Sequence, residues 1–160
     1  MAIITERRFV PLTDAADPDD WRPNSRIAAV VDPARPDGAF VHGLVVLWEV
    51  LAPGDRIPLH RHTMEEILII DEGVAEVRLG DDTQTVRSGA VVFVPAGTAH
   101  GTRNSSGSPV TLHAIFPFSL IDIEYLERNP APGTEGDPPR LPFSVDIRAW
   151  AEGTGRSGGA

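Results

Sequence analysis

The sequence contains no cysteine and no lysine, and these two absences exclude several kinds of chemistry. Without cysteine, the chain has no disulfide, no thiolate metal ligand and no cysteine nucleophile. All fourteen basic residues are arginine, so lysine Schiff bases and lysine general bases are excluded as well. Candidate chemistry must therefore come from histidines and carboxylates.

The chain also lacks an excess of positive charge and any long apolar run. Its formal net charge is −9 and its isoelectric point is about 4.9, so phosphate backbones and anionic membranes should be repelled. The nearest basic cluster, residues 6–8, is better explained as a solvated strand face. No apolar segment approaches the roughly 20 residues that span a bilayer, and the first residues mix charges too early for a signal peptide. We therefore expect a cytoplasmic protein with no nucleic-acid or membrane partner.

Glycine and proline, by contrast, are abundant. The 160 residues include 15 of each, which is typical of many turns between short strands. A hydrophobic fraction of 41% is enough for a core, and there is no internal repeat. We predict an all-β fold with little helix, forming a single barrel domain over residues 1–150, and a disordered tail at 151–160.

Runs of β-branched and aromatic residues between turn residues locate the strands. The predicted strands are residues 2–10, 27–31, 39–51, 65–70, 74–79, 83–87, 90–94 and 110–116. Residues 14–25, with two prolines and four aspartates, are expected to form a surface loop. Residues 118–128 fit a strand or a short helix equally well. Residues 129–142 are Pro-rich and irregular, and 143–150 are expected to return as a packed segment.

One group of side chains has the chemistry of a metal site. His60 and His62 are two residues apart, so on an extended chain both project from the same face, and Glu66 has the same parity. His100 must come from another strand, after the turn at 95–97. Three imidazoles and one carboxylate suit one divalent transition metal, with Fe(II) favoured and Zn, Mn, Ni or Cu possible. In an octahedral geometry two positions would stay open, which is typical of catalytic sites.

These residues lie in two motifs that resemble the paired motifs of the cupin superfamily. The first motif is matched at Gly54, His60, His62, Glu66 and Gly73. The second motif is matched at Gly89, Pro95, Gly97, His100 and Asn104. The resemblance covers about residues 39–116. It implies a double-stranded β-helix, a metal held by the matched histidines and glutamate, and frequent dimers, but it does not imply one reaction.

Other polar residues are candidates for proton transfer. Glu49 lies in a strongly apolar run, so it is a candidate general base or a partner of a metal ligand. His42 and His113 lie in predicted strands, either as hydrogen-bonded histidines on a strand face or as catalytic groups. We expect the strand of His113 to run beside the strand of His100. Glu65 has the opposite parity to Glu66 and should point outwards.

Four side chains are candidates for substrate contacts. Arg56 shares parity with His60, so it is expected either to face inwards and bind an anionic group or to form a surface ion pair. Trp48, Phe93 and Phe116 are expected in the core or lining an apolar pocket.

The function favoured by these features is a metal-dependent enzyme acting on a small organic molecule, by dioxygenase-like oxidation of an enol or hydroxyl substrate. A redox-neutral cyclase, isomerase or lyase is the alternative, and a non-catalytic protein that binds a small ligand is a third. We also expect a homodimer in which the N-terminal strand joins the partner's sheet.

Overall fold

A computed structural model describes residues 7, 9–12, 17–29 and 43–147. Nearly all the regular structure in these residues is β-strand. In chain order the strands are β1 (Val10–Leu12), β2 (Arg22–Ala29), β3 (Val45–Leu51), β4 (Arg56–Arg61), β5 (Glu66–Glu72), β6 (Val74–Leu79), β7 (Asp82–Arg87), β8 (Val91–Val94), β9 (His100–Arg103), β10 (Val110–Phe116), β11 (Leu120–Tyr125) and β12 (Phe143–Asp146).

The strands form two antiparallel six-stranded sheets. The first sheet has the order β1-β2-β3-β10-β5-β8, and the second has the order β12-β11-β4-β9-β6-β7. Chain neighbours such as β4 and β5 lie in different sheets, so the chain passes back and forth between the two layers. This arrangement confirms the predicted all-β double-stranded β-helix with little helix.

The core lies between the sheets because the strands alternate between buried and more exposed residues. In β3 and β10 every second side chain is buried, from Val45 to Leu51 and from Val110 to Phe116. The two strands pair in register, with Leu112 opposite Glu49. Glu49 therefore belongs to the inner face, although it is charged.

Several predicted strands match the structure closely. Residues 74–79 and 110–116 are β6 and β10 with the predicted bounds. The ambiguous segment 118–128 contains a strand, β11, and no helix is described within it.

The predicted surface loop at 14–25 is wrong in part. β2 begins at Arg22, and Asp19, Arg22 and Ser25 are buried. Asp19 accepts a hydrogen bond from the Arg140 backbone N–H at 2.7 Å and pairs with the Arg128 guanidinium. The aspartate-rich composition suggested solvent exposure, but this segment packs against the later part of the chain.

Some predictions lie outside the described residues. The predicted edge strand at 2–10 lies largely outside them, as do residues 39–42 of the third predicted strand and the tail at 151–160. In the part of the chain that the structure describes, no helix has the length and apolar character needed to cross a membrane.

Candidate metal centre

Four buried side chains meet inside the barrel at one end of the two sheets. His60 lies in β4, His62 directly follows that strand, Glu66 begins β5 and His100 begins β9. One potential ligand atom from each residue lies within 4.8 Å of all the others. Donor atoms about 2.1 Å from a shared ion are separated by roughly 3 to 4 Å, so small side-chain movements would complete a coordination sphere.

The backbone fixes the orientation of all three imidazole rings. His60 Nδ1 donates to the Pro58 carbonyl at 2.7 Å and His100 Nδ1 donates to the Thr98 carbonyl at 3.0 Å. His62 Nδ1 donates to the Asp122 carbonyl. A carbonyl oxygen only accepts hydrogen bonds, so each Nδ1 carries a proton, and in the neutral ring Nε2 presents a lone pair. This tautomer is the one that a histidine needs to bind a metal through Nε2.

The site contains lone pairs that face each other. His100 Nε2 lies 2.8 Å from Glu66 Oε2, and His62 Nε2 lies 3.6 Å from the same oxygen. These three atoms are buried and have no hydrogen-bond partner among the described residues. Two facing acceptors repel unless a proton or a cation lies between them. A divalent cation therefore fits this donor set.

The protonation tendencies of the ligands follow from burial and from Glu66. Burial, followed by the neighbouring imidazoles, lowers the pKa of His60 well below its usual value. Burial also lowers the pKa of His62. Burial opposes charging of His100, but the Glu66 carboxylate, 2.8 Å from its Nε2, outweighs burial and raises the pKa of His100. His60 and His62 are thus neutral at physiological pH. At His100, a bound cation would take the place of the proton that Glu66 favours on Nε2.

Two aromatic rings pack against the histidines. Phe116 is buried, and its ring meets the His62 ring edge-on at 5.2 Å. The ring of Tyr125 lies 6.2 Å from the His60 ring, and its hydroxyl donates to Asp17 Oδ2 at 3.0 Å. Phe116 therefore lies in the core, which is one of its two predicted positions, and contacts the ring of a candidate ligand.

A buried ion cluster lies inside the barrel near the histidines. The Arg22 guanidinium donates two hydrogen bonds to Asp20, at 2.8 and 2.7 Å, and a third to Glu49. Burial raises the pKa of Glu49 although Arg22 opposes the shift, and the charge of Glu66 adds to it. Glu49 is therefore inside the barrel, as its apolar context in the sequence suggested.

Sequence reasoning missed Arg22, Asp20 and Tyr125. Tyr125 is the only tyrosine of the chain, and its parity with Ile121 and Ile123 on β11 is a signal that could have placed it with them. The two charged residues carry no such signal, because an aspartate-rich segment predicts solvent exposure.

Of the two expected positions of Arg56, the structure shows the outward one, with a surface ion pair to Glu127 at 3.7 Å. A β-bulge interrupts the pairing of β4 with β9. From Ile57 to His60, β4 advances by three residues, while the paired residues of β9 advance by only two. The bulge reverses the parity, so His60 points inwards while Arg56 points outwards. The Arg56 guanidinium donates to the Asn129 side chain at 2.6 Å and to the Arg128 carbonyl at 3.0 Å.

Trp48 and His113 lie together on the outer face of the first sheet. Their rings are 5.7 Å apart, the Arg7 guanidinium lies 4.8 Å from the Trp48 ring, and His113 Nδ1 bonds Asp71 at 3.0 Å. The expectation that the strand of His113 runs beside that of His100 is wrong, since β10 pairs with β3 and β5. Neither Trp48 nor His113 reaches the barrel interior.

The remaining predicted site residues are placed as follows. Phe93 is exposed on the outer face of β8, so it is neither core nor interior lining. Glu65 is exposed, as its parity predicted. His42 lies outside the described residues.

A groove of about 400 Å³ lies at the end of the barrel that carries the histidines. Its lining residues are Thr63, Met64, Glu65, Ala96, Pro117 and Phe118. Thr63 follows His62 in the chain, Glu65 precedes Glu66, and Pro117 follows Phe116. Three lining residues are therefore direct chain neighbours of His62, Glu66 and Phe116.

Comparison with known families identifies a domain within the chain. Residues 47–116 match the family model described as a cupin domain. This segment contains all four candidate ligands. No curated protein matches the sequence significantly.

Solved structures share the architecture at low sequence identity. Oxalate decarboxylase from Bacillus subtilis superposes with a TM-score of 0.56 and 18% identity, over 68% of this chain and 29% of that chain. KdgF from Halomonas sp. superposes with a TM-score of 0.50 and 19% identity, over 59% of this chain and 80% of that chain. This chain thus spans less than a third of the length of the decarboxylase. Identities this low show a shared fold and do not define a substrate.

Proposed function

This chain contains a cupin domain, and on that premise we propose that it is a metal-dependent enzyme acting on a small organic molecule. The observation that carries the proposal is the set of buried lone pairs on His62, Glu66 and His100, which face one another without a hydrogen-bond partner among the described residues. Leaving such groups unpaired in the interior is unfavourable, and a bound cation removes that cost.

The ligand set supports catalysis better than a purely structural metal role. Three imidazoles and one carboxylate leave room in an octahedral sphere for a substrate atom. A divalent cation bound there would supply Lewis-acid activation of an enol, carbonyl or hydroxyl group and, if it is Fe(II), redox chemistry.

The chain's own residues would hold the ion and manage a proton. The carbonyls of Pro58, Thr98 and Asp122 keep the three rings oriented through Nδ1. The Glu49 carboxylate, oriented by Arg22 inside the barrel, is the candidate acceptor for a proton that the substrate loses on binding.

Within this proposal we favour Fe(II) and a dioxygenase-like oxidation, since the ligand set and its open positions suit both substrate and dioxygen. The alternative is a redox-neutral cyclase, isomerase or lyase that uses the ion only as a Lewis acid. Oxygen uptake during turnover separates the two. Turnover that persists without dioxygen would favour the redox-neutral reaction, and tight ligand binding without product would favour a binding protein.

The first test is elemental analysis of the protein purified without chelators. We expect about one transition-metal ion per chain, in line with one such ligand set. His62→Ala should lose most of the metal, while His113→Ala, which removes a histidine from the outer face, should keep it. A protein that carries no stoichiometric metal and gains none when it is added would overturn the proposal.

A further inference from the structure

We infer that the metal centre accepts a small molecule that is uncharged in solution and has an apolar body, and that it disfavours dicarboxylates and other polyanions. The inference rests on the proposed function, because it assumes a bound divalent cation. Two independent features carry it: the ion cluster around Arg22 and the groove beside Phe118.

Arg22 is the cation of the interior cluster, and its guanidinium is already paired. Its Nε and Nη2 bind both oxygens of Asp20, and its Nη1 binds Glu49. The side chain is only 3% exposed. Three of its five N–H donors are taken, and the two carboxylates more than neutralise its charge, so it does not attract a carboxylate of the substrate.

The fixed charges of the interior are already balanced once a divalent cation binds. Glu66, Glu49 and Asp20 contribute three negative charges, which the cation and Arg22 offset. A dianionic ligand would add two negative charges to a buried region where charge is poorly screened. An uncharged ligand adds none, and it can lose one proton when it binds.

The groove offers a place for an apolar body. Met64, Ala96, Pro117 and Phe118 supply apolar surface, and Met64 is half-buried and packs against the core. The volume of about 400 Å³ is suited to a small organic molecule. Phe118 is 58% exposed and would lose that exposure to a bound ligand.

The experiment compares three probes on the Co²⁺-loaded protein, with binding followed by calorimetry and by the cobalt absorption spectrum. Acetohydroxamic acid has an uncharged metal-binding head alone, benzohydroxamic acid adds a phenyl body to the same head, and oxalate is a dianion of similar denticity. We expect benzohydroxamic acid to bind roughly tenfold more tightly than acetohydroxamic acid, and oxalate to bind more weakly than both.

Two pairs of variants separate the groove from the charge cluster. Phe118→Ala should remove most of the advantage of the phenyl body, while Phe93→Ala, which removes the same side chain from the outer face, should leave it unchanged. Glu49→Gln should strengthen oxalate binding, because it removes a buried negative charge. Asp71→Asn removes the same charge from the outer face, where solvent screens it, and should have little effect.

The outcomes separate this inference from the proposed function. A protein that binds no Co²⁺ overturns both. A protein that binds Co²⁺ but prefers oxalate overturns only the inference about the ligand. If Phe118→Ala and Phe93→Ala change the affinity for benzohydroxamic acid equally, the groove does not bind the phenyl body. If Glu49→Gln and Asp71→Asn change the affinity for oxalate equally, the charge cluster does not disfavour anions.

Discussion

At the scale of single residues, the ionisation of a partly buried carboxyl depends on the groups beside it. Asp17 is an instructive case, because its carboxylate accepts from Tyr125 and yet lies near a second carboxylate, Asp20. Burial, reinforced by the charge of Asp20, raises the pKa of Asp17 from 3.8 to about 6. The folded protein therefore holds this proton more tightly than the unfolded chain does.

This difference predicts how Asp17 affects stability as the pH changes. The stabilising effect of the protonated carboxyl is complete below pH 3.8 and is lost as the pH rises through about 6. The free energy of unfolding of the wild type should therefore fall relative to that of Asp17→Asn across this window, by on the order of 1 to 3 kcal/mol. Urea unfolding of both proteins between pH 4 and 7 measures the difference. A difference that stays constant, or that grows with pH, would contradict the assignment.

At the scale of structural elements, the turn between β5 and β6 depends on a glycine. Gly73 has a φ of +91°, and a Cβ at this position would lie 2.9 Å from the Pro109 carbonyl oxygen and 3.1 Å from Val110 Cγ2. This glycine closes the first sequence motif, and the structure gives the physical reason. Only a residue without a side chain allows the turn to pack against the start of β10.

Gly73→Ala should therefore destabilise the fold by on the order of 2 to 4 kcal/mol, because it adds backbone strain and a clash with main-chain atoms. The matched control is Gly80→Ala in the turn between β6 and β7. Gly80 also has a positive φ, +61°, but it has nothing within 4 Å of the added Cβ, so its loss should be about 1 kcal/mol. Urea midpoints of the two variants provide the comparison, and equal losses would show that the close approach at Gly73 carries no cost.

At the scale of the whole molecule, the outer face of the first sheet carries exposed apolar side chains, although the chain has a net charge of −9. Ile67 and Phe93 lie opposite each other on β5 and β8, and both are exposed, as is Val91. Exposed apolar patches on a strongly charged protein often mark interfaces. The expected homodimer therefore remains a prediction, and this face is an additional candidate for its interface beside the N-terminal strand.

Light scattering at micromolar concentration should give about twice the monomer mass of 17.2 kDa. Phe93→Glu should shift the protein to the monomer, since it places a charge in the patch. Leu141→Glu changes an apolar residue that is 85% exposed elsewhere and should leave the dimer intact. A wild type that is monomeric at this concentration would refute the prediction.

Local sequence patterns determined much of this protein. The parity of His60 and His62 placed two candidate ligands on one face, because side chains alternate along an extended chain. Strand and turn composition gave β6 and β10 with their bounds. Both depend on neighbouring residues only, and so they can be read from a single sequence.

Only the tertiary structure decided which strands pair and which charges are buried. It placed β10 between β3 and β5, which moved His113 away from His100, and a bulge in β4 turned Arg56 outwards. It also buried Arg22 against Glu49, 27 residues further along the chain. Pairing, bulges and buried ion pairs depend on contacts between distant segments, and local composition and parity carry no information about those contacts.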